Sequence, residues 1–260
     1  MNEPLRKKLI QDLRTSGFYS EMMAIRACRA AGWECRGSFT YFDRDERTTR
    51  ECDFEAVREW QKLRDGRTSI EVVARLIGQV KKSEKPWIVF LDRSANGFED
   101  GLENLLHVTA EERRWEVGAV LRKHSPALEN GWTAAGIHEA FKRPTDASKW
   151  YSAFVSVSKA CETAYEKAAE GDANLTVQLI KPVVVLDGLL VVSELAHDAE
   201  PILTEIDHAG FRFEYRSDRY DRVAYYVDLV TLGGMPRYLE RTAKRMNAVL
   251  RALYGPGAGR

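Results

Sequence analysis

The sequence predicts an α/β fold, on the strength of three observations. Amphipathic helical segments and extended apolar segments alternate along the chain, as in proteins that pack helices on a sheet. Between Thr48 and Lys82, two long extended arms flank a polar turn that contains Gly66, which is typical of a β-hairpin. From Leu175 onward, short β-branched runs predominate and predict a β-rich C-terminal extension.

Composition limits the classes of protein to which the chain can belong. Its 260 residues can bury a large core, as one elaborated domain or two small ones. Lysine plus arginine and aspartate plus glutamate each number 39, and this zero net charge argues against non-specific coating of nucleic acid. No apolar run approaches the roughly 20 residues of a membrane helix, and the N-terminus lacks a signal-peptide core. We therefore expect a cytoplasmic protein without membrane contact.

Several familiar chemistries have no support in the sequence. The four cysteines form no CxxC pair and have no histidine at zinc-site spacing, so we expect reduced thiols that pack in the core. The five histidines are scattered, without a serine or cysteine partner at a motif spacing. No glycine-rich phosphate-binding loop is present, so nucleotide-driven chemistry is not predicted.

The first part of the chain predicts two helices, over 4–14 and Phe18–Ala31, followed by a strand over 33–42. On the second helix, an apolar stripe is expected at Phe18, Met22, Ile25 and Cys28. Glu21 falls inside that stripe, where a carboxylate is costly unless it is paired, hydrated or bound to a metal. A nearby arginine, such as Arg26 or Arg29, is the simpler explanation for it.

The remaining elements are predicted in the same way. Strands are expected over 48–63, 68–82 and 86–90, then a loop over 94–107. Helices are expected over 109–123, opened by a Thr109–Glu112 capping box, over 131–141, and over 146–169, capped by Asp146. Strands over 175–180, 183–186 and 189–195 follow, with a hairpin turn at Asp187-Gly188, and then strands over 211–215 and 223–232. The final helix covers 236–254. Apolar faces are expected on the last two helices, at Trp150, Phe154, Val157, Cys161 and Tyr165 and at Tyr238, Thr242, Met246, Val249 and Leu253.

The hairpin brings a set of polar residues together. With the turn centred on Gly66, paired residues have numbers that sum to about 132, which puts Asp53 opposite Gln79. Alternation of strand side chains predicts that Glu51, Asp53 and Glu55 share one face and that Gln79 and Lys81 share one too. Directly opposed Cβ atoms lie roughly 5 Å apart, so carboxylates, a carboxamide and an ammonium group would form one small patch.

With Glu21 on the helix that precedes the first strand, Asp53 on the second strand and Gln79-Val80-Lys81 on the third, the sequence resembles the PD-(D/E)XK nuclease superfamily. This resemblance implies a restriction-endonuclease-like αβββαβ core. It covers residues 17–92 and extends to the short sequence segments around these positions, such as Arg50-Glu51-Cys52-Asp53. The sequence departs from the family pattern at Gln79, where an acid is usual, although a Gln-x-Lys form is similar to that of Mrr-type restriction endonucleases.

The resemblance implies metal-dependent hydrolysis of phosphodiester bonds, in DNA in a defence or repair context. Mg²⁺ (or Mn²⁺) would be bound by Asp53 as central ligand and by the Gln79 carbonyl, while Glu21 would hold a second ion or orient a metal-bound water. Lys81 would hold the attacking water or stabilise charge on the phosphate. Glu51 and Glu55 are candidates to compensate for the charge that is missing at position 79.

Other interpretations remain open from the sequence. Lys81 and Glu51 could form an ordinary cross-strand ion pair. The chain could be a weakly active or inactive nuclease-fold protein that binds nucleic acid or a partner, or a structural subunit of a larger system. Expected partners are nucleic acid, chiefly DNA, with a homodimer or partner proteins of a defence system left open. Residues 1–175 are predicted to form the nuclease-like core with a helical insertion, and residues 176–260 to complete or extend it.

Overall fold

A computed structural model describes residues 1–64, 68–91, 105–124, 133–143, 145–169, 175–195 and 200–254. Within these ranges the chain is a mixed α/β protein, with five α-helices and eleven strands that belong to one sheet. The predicted turn at Gly66 lies outside the described residues.

The elements have the following bounds. The helices are α1 (Glu3–Thr15), α2 (Gly17–Ala30), α3 (Arg114–Lys123, preceded by a 3₁₀ turn at Glu111–Arg113), α4 (Lys149–Ala169) and α5 (Met235–Tyr254). The strands are β1 (Glu34–Asp43), β2 (Thr48–Arg64), β3 (Thr68–Lys82), β4 (Trp87–Leu91), β5 (Leu106–Val108), β6 (Thr133–Glu139), β7 (Leu175–Asp187), β8 (Leu190–Leu195), β9 (Pro201–Glu205), β10 (His208–Glu214) and β11 (Ala224–Thr231).

The sheet has the strand order β1-β2-β3-β7-β11-β10-β6-β4-β8-β9, with β5 paired to β7. Strands β1, β2 and β3 are antiparallel neighbours, and β7 runs parallel to β3 on one side and to β11 on the other. Strands from both halves of the sequence therefore pair in one sheet. The domain division predicted near residue 175 falls where β7 begins.

Two hydrophobic clusters cover the two faces of the sheet. One packs α2, α3 and α5 on the sheet, and the other packs α4 on the opposite face. The predicted stripe of α4 is confirmed, since Phe154, Val157 and Cys161 are fully buried. The predicted apolar face of α5 is confirmed as well, with Met246, Val249 and other members buried. All four cysteines are buried free thiols, as expected.

The hairpin predicted at Asp187-Gly188 is wrong, because β7 and β8 do not pair with each other. Strand β8 instead lies parallel to β4, as β7 lies parallel to β3. The chain passes from β3 to β4 and from β7 to β8 at the same corner of the sheet, where Ser83 N donates to Asp187 O. A Cβ at Gly188 would lie 2.5 Å from Ser83 O, so glycine is needed for close approach at the corner rather than for a tight turn.

Three strand assignments also differ from the prediction. Residues 131–141 were expected to be helical, but Thr133–Glu139 forms β6, since pairing with β4 overrides the helix preference of its alanines. Segments 175–180 and 183–186 are one strand, β7, which continues through Pro182. The short strand β9 was not predicted; its side chains are all exposed, so it carries no alternating pattern.

The two predicted helix caps are also wrong. Thr109 Oγ1 accepts from Thr176 N, the 3₁₀ turn that follows begins at Glu111 with Ala110 as N-cap, and α3 itself begins at Arg114. The N-terminus of α4 is capped by Glu139, whose Oε1 accepts from Lys149 N at 2.7 Å and Trp150 N at 3.3 Å. A local sequence pattern cannot reveal a cap that a separate strand supplies. Among the described helices, none has the length and apolarity needed to cross a membrane.

Candidate functional site

The candidate site lies where the pairing of β2 with β3 ends and where one pair is missing between β2 and β1. The numbers of paired residues of β2 and β3 sum to 132, as predicted, from Arg64–Thr68 to the last pair, Phe54–Gly78. On the other side of β2, the paired positions step from Gly37–Phe54 to Phe39–Cys52, and the skipped Ser38 has a left-handed φ of 55°. Asp53 therefore falls at an interruption of both ladders, while β3 continues along β7 as far as Lys82.

Phe54 and Gly78 determine the geometry of this interruption. The ring of Phe54 lies directly over the backbone of β3, since a Cβ at Gly78 would be 2.1 Å from the ring atoms. Cys52 and Phe54 belong to different hydrophobic clusters, on opposite faces of the sheet, although they are two residues apart. The regular alternation of side chains therefore breaks at Asp53.

Asp53 is tied to β3 through its side chain. Its Oδ2 accepts a hydrogen bond from Val80 N at 2.6 Å, where a regular ladder would present a backbone carbonyl. This bond fixes the half-buried carboxylate against the segment that carries Gln79 and Lys81. The interruption thus gives the site an oriented carboxylate.

Gln79 is buried and uses both ends of its amide. Its Nε2 donates to Glu51 O at 3.1 Å, and its Oε1 accepts from Lys81 Nζ at 2.8 Å. The amide therefore links β2 to β3 and positions the ammonium group of Lys81. The cross-strand ion pair between Lys81 and Glu51, considered from the sequence, is not formed; the ammonium hydrogen-bonds to Gln79 instead.

Glu21 reaches the site from α2. The buried residues of α2 are Ser20, Ala24 and Cys28, so the predicted apolar stripe is confirmed at Cys28. Ile25 is partly buried, but Phe18 and Met22 are more than half exposed, so the stripe is wrong at those two positions. The helix is rotated because Ser20 Oγ donates to Asp187 Oδ2 at 2.5 Å at the end of β7. This rotation leaves Glu21 half-buried beside the sheet.

The electrostatic partners of Glu21 are the residues predicted for the site. Burial raises the pKa of Glu21, Asp53 and Glu51 raise it further, and Lys81 opposes them. The arginine partner considered from the sequence is not formed by Arg29, whose guanidinium donates to Cys35 O. Glu21, Asp53, Gln79 and Lys81 are thus brought together from one helix and two strands.

Asp53 has the same kind of environment. Burial is the largest cause of its raised pKa and Glu51 adds to it, against the Val80 N–H and Lys81. One ammonium group therefore faces three carboxylates, those of Glu21, Glu51 and Asp53. The site has an excess of negative charge, and a bound cation would relieve it.

Glu55 does not belong to this set, contrary to the shared face predicted for Glu51, Asp53 and Glu55. Glu55 is buried and forms ion pairs with Arg36 at 2.5 Å and with Arg75. Both of its oxygens are occupied, so it cannot compensate for the missing charge at position 79. Glu51 is exposed and contributes to the potential at both Glu21 and Asp53.

A groove of about 950 Å³ opens beside Glu21 and Lys81. Its lining contains five lysines from three parts of the chain: Lys81, Lys82, Lys85, Lys142 and Lys149. Lys82 donates to Arg14 O, Lys149 to Lys82 O at 3.5 Å and Lys142 to Ser148 Oγ at 2.7 Å. Within the described ranges, no ion pair to a carboxylate is formed by any of these five.

Two of the acidic residues of the groove accept hydrogen bonds from the backbone. Glu139 caps α4, and Asp146 Oδ2 accepts from Arg143 N at 3.2 Å. Glu84 is exposed, and Glu21 belongs to the carboxylate set. The lining thus has five lysines against four carboxylates, and within the described residues none of these lysines forms an ion pair. The groove therefore has a small net positive charge, which would favour an anionic ligand.

Sequence reasoning missed Lys142 and Lys149 as members of this groove. Lys149 is the first residue of α4, and the first turn of that helix contains no acidic residue. A lysine there is opposed by the helix dipole, which favours anions at the N-terminus. The unfavourable position of Lys149 could have marked it as a candidate functional residue, but it does not predict where the groove lies.

The donors available to a metal ion are a mixed set. Within the described residues, no group of three or more His, Cys, Asp and Glu side chains is arranged to hold a metal. Asp53 Oδ1 and the carboxylate of Glu21 are the charged donors, and the Gln79 carbonyl oxygen is a neutral one that Lys81 already contacts. Two carboxylates with retained waters are a typical donor set for Mg²⁺.

Comparisons with models of protein families, with characterised proteins and with solved structures gave no significant match to this chain. The geometry of the site therefore carries the functional conclusion.

Proposed function

We propose that this protein is a metal-dependent nuclease that hydrolyses phosphodiester bonds, with DNA as the expected substrate. One observation carries the proposal: Glu21, Asp53 and Lys81 converge where β2 and β3 separate, beside a groove lined by five lysines. Phosphodiester hydrolysis needs an activated water, a cation near the phosphate and an anion-binding surface. The site and the groove together offer these features.

The order of the elements supports the same proposal. Helix α2, strands β1, β2 and β3, helix α4 and strand β7 follow one another along the chain, with an insertion between β3 and α4. The corresponding part of the sheet has the order β1-β2-β3-β7, with β7 parallel to β3. This arrangement is the one expected for the αβββαβ core that the sequence resemblance implies.

The charge of the site fits a divalent cation. Glu21 and Asp53 both have raised pKa values because they are partly buried and lie near other carboxylates. Mg²⁺ or Mn²⁺ would be held by these two residues, with Gln79 as a neutral donor, and would make a water more acidic and neutralise phosphate charge.

The protein residues would divide the remaining work. Asp53 is fixed by Val80 N, so its free oxygen points from a rigid strand. Lys81 is held by Gln79, which places the ammonium group to orient a water or to stabilise negative charge that develops on the phosphate. The lysines of the groove would bind the neighbouring phosphates of the strand.

The test is a cleavage assay with matched variants. Plasmid and single-stranded DNA are incubated with Mg²⁺, with Mn²⁺ and with EDTA, using the wild type, Asp53→Asn and Lys81→Ala. We expect cleavage that requires metal and is lost in both variants. Binding of Mn²⁺, followed by calorimetry, should weaken in Asp53→Asn and change little in Lys81→Ala.

Two exposed positions provide the controls. Glu59→Gln changes an exposed carboxylate on the same strand as Asp53, and Lys123→Ala removes an exposed ammonium at the end of α3. Both should cleave like the wild type. Absence of metal-dependent cleavage in the wild type, or unchanged cleavage in Asp53→Asn and Lys81→Ala, would contradict the proposal.

A second candidate function is binding of nucleic acid without cleavage. One observation favours it: Gln79 stands where an acid is usual, and its amide oxygen already accepts a hydrogen bond from Lys81. In that case the groove would retain single-stranded or duplex DNA in the presence of Mg²⁺, and no product would form over many hours. The same assay, read for binding as well as for cleavage, separates the two functions.

A further inference from the structure

Phe141 combines an unusual backbone conformation with an exposed aromatic ring. It lies between β6 and α4, its φ is 57°, and the residue is 81% exposed. A bulky side chain with positive φ is a conformational outlier and is strained. Burial of the ring does not compensate for this strain, since the ring projects into solvent.

The backbone around Phe141 is held firmly. Lys85 Nζ donates to Phe141 O at 2.9 Å, and Ala140 N donates to Pro86 O at 2.9 Å. Both bonds attach the segment to the corner between β3 and β4. The ring is therefore presented from a fixed point and is not on a free loop.

That point is at the rim of the lysine-lined groove. Lys85 and Lys142, which contact or adjoin Phe141, both line the groove, and so does Glu139. An ammonium group of the groove wall thus contacts the backbone of Phe141, and the next residue, Lys142, lines the groove. The exposed ring is therefore attached to the chain at the edge of a lysine-lined groove.

This combination is the one that binds unpaired nucleotides. Proteins that hold single strands use cations along the phosphates and aromatic rings on which the bases stack. In a duplex, the neighbouring base pairs cover the faces of the bases, so a ring could stack only at an end or a gap. A membrane surface would need a continuous apolar patch, whereas the groove beside Phe141 is lined mainly by charged and polar side chains.

We infer that the groove binds a nucleic-acid strand with an unpaired base stacked on Phe141, so that single-stranded or frayed substrates are preferred to intact duplex. This inference rests on the proposed function, because it assigns the substrate class of the same site. It accounts for the strained conformation of Phe141, which aims the ring at the ligand.

The test uses binding in EDTA, so that it does not depend on cleavage. Fluorescence anisotropy compares the full chain with a labelled single-stranded oligonucleotide, an abasic strand of the same length, and a blunt duplex. We expect the normal strand to bind about tenfold more tightly than the abasic strand, which has the same phosphates but no bases to stack. Phe141→Ala should remove this difference, and Phe141→Trp should keep it.

A spectroscopic readout identifies stacking directly. A 2-aminopurine base in the strand should be quenched on binding to the wild type and to Phe141→Trp, and should stay bright with Phe141→Ala. Phe141→Gly controls for folding, since glycine adopts positive φ at little cost and should leave the melting temperature unchanged or higher. If the loss of affinity in Phe141→Ala came from backbone strain and not from the missing ring, Phe141→Gly would bind like the wild type. That result would contradict the inference.

The outcomes separate the two proposals. If the wild type cleaves DNA but the strand, abasic strand and duplex bind equally in all variants, the stacking inference is wrong and the nuclease proposal stands. If stacking is observed without cleavage, the stacking inference stands and the second candidate function replaces the first. Tighter binding of the duplex than of the single strand would also overturn the inference.

Discussion

Two clusters on the same sheet each contain an aspartate and a lysine. The pKa of the aspartate is shifted in opposite directions in the two clusters. Asp228 on β11 lies under α5, where Lys181, His208 and Tyr238 contact it at 3.0, 3.2 and 2.8 Å. Burial acts to raise the pKa of Asp228, yet these partners hold it well below its ordinary value. Asp53 is also desolvated, but its pKa is raised.

The difference lies in the number of partners and in access to solvent. Asp228 is one carboxylate among donors, it is almost fully buried, and both of its oxygens are satisfied. At Asp53 one ammonium group faces three carboxylates, next to an open groove. The first cluster is complete without a ligand, whereas the second would be stabilised by one. Charge balance thus separates a structural cluster from a candidate site more clearly than residue type does.

The largest effect is expected at Lys81. Replacement by alanine should lower cleavage by about a thousandfold, because it removes the ammonium group that would face the reacting phosphate. The melting temperature should change by little, since Lys81 is half-exposed and its ammonium group hydrogen-bonds to the side chain of Gln79. A variant that cleaves normally would place the chemistry elsewhere.

Asp228→Ala should act on stability instead. It leaves Lys181 buried without its counter-charge, so we expect the free energy of unfolding to fall by about 3 kcal/mol or more. Denaturant titration measures this, and Asp218→Ala, at a solvent-exposed position, is the control. Loss of less than about 1 kcal/mol would mean that the cluster is not the structural one.

The groove lysines should affect binding in proportion to salt. In Lys142→Ala/Lys149→Ala, DNA affinity should fall, and the magnitude of the slope of log K against log salt should decrease by roughly 1.4 to 1.8. The matched control is Lys7→Ala/Lys8→Ala on α1, where both residues are exposed and outside the lining of the groove. An equal effect of the two double variants would indicate general electrostatic attraction and no specific groove.

Asp53→Asn should raise stability while it removes activity. The amide oxygen of asparagine can still accept from Val80 N, and the repulsion from Glu21 and Glu51 disappears. We expect a gain of about 1 kcal/mol in metal-free buffer at neutral pH. The gain should disappear when the wild type is measured with saturating Mn²⁺, and a loss of stability would contradict the charge imbalance.

The smallest effect is the pH dependence, which should have opposite signs in the two clusters. Asp228 has a lowered pKa, so its contribution is present above the ordinary value near 3.8 and is lost as the pH falls through the lower folded value. Asp53 has a raised pKa, so stability is lost as the pH rises from that ordinary value through the folded one. The difference in unfolding free energy between the wild type and each of Asp228→Asn and Asp53→Asn, measured between pH 2 and 7, should show slopes of opposite sign. Equal signs would refute the comparison.

The sequence allowed the local geometry of the site to be predicted. The register sum of 132 followed from the turn alone, and the paired residues of β2 and β3 agree with it. The face shared by Glu51, Asp53 and Glu55 was predicted wrongly, because perfect alternation was assumed through Asp53. The interruption comes from contacts between Phe54 and Gly78 and from the left-handed Ser38, neither of which alters the hydrophobic pattern.

The rotation of α2 was also beyond the sequence. Its apolar positions suggested that Phe18 and Met22 were buried, whereas Ser20 and Ala24 are. Ser20 is turned inward by Asp187, which is distant in sequence. A helix with several apolar residues on more than one face can be rotated by one polar contact from another element.

By itself, the sequence determined the mixed α/β class, the pairing of β2 with β3, and the apolar stripes of α4 and α5, because short connections and hydrophobic periodicity act locally. The tertiary structure decided which charges meet. Glu21 lies near Asp53 and not beside an arginine. Glu55 forms ion pairs with Arg36 and Arg75. Four lysines from separate parts of the chain line one groove: Lys81, Lys82, Lys142 and Lys149. Those encounters depend on how helices pack on the two faces of a sheet, and long-range packing leaves no local pattern in a single chain.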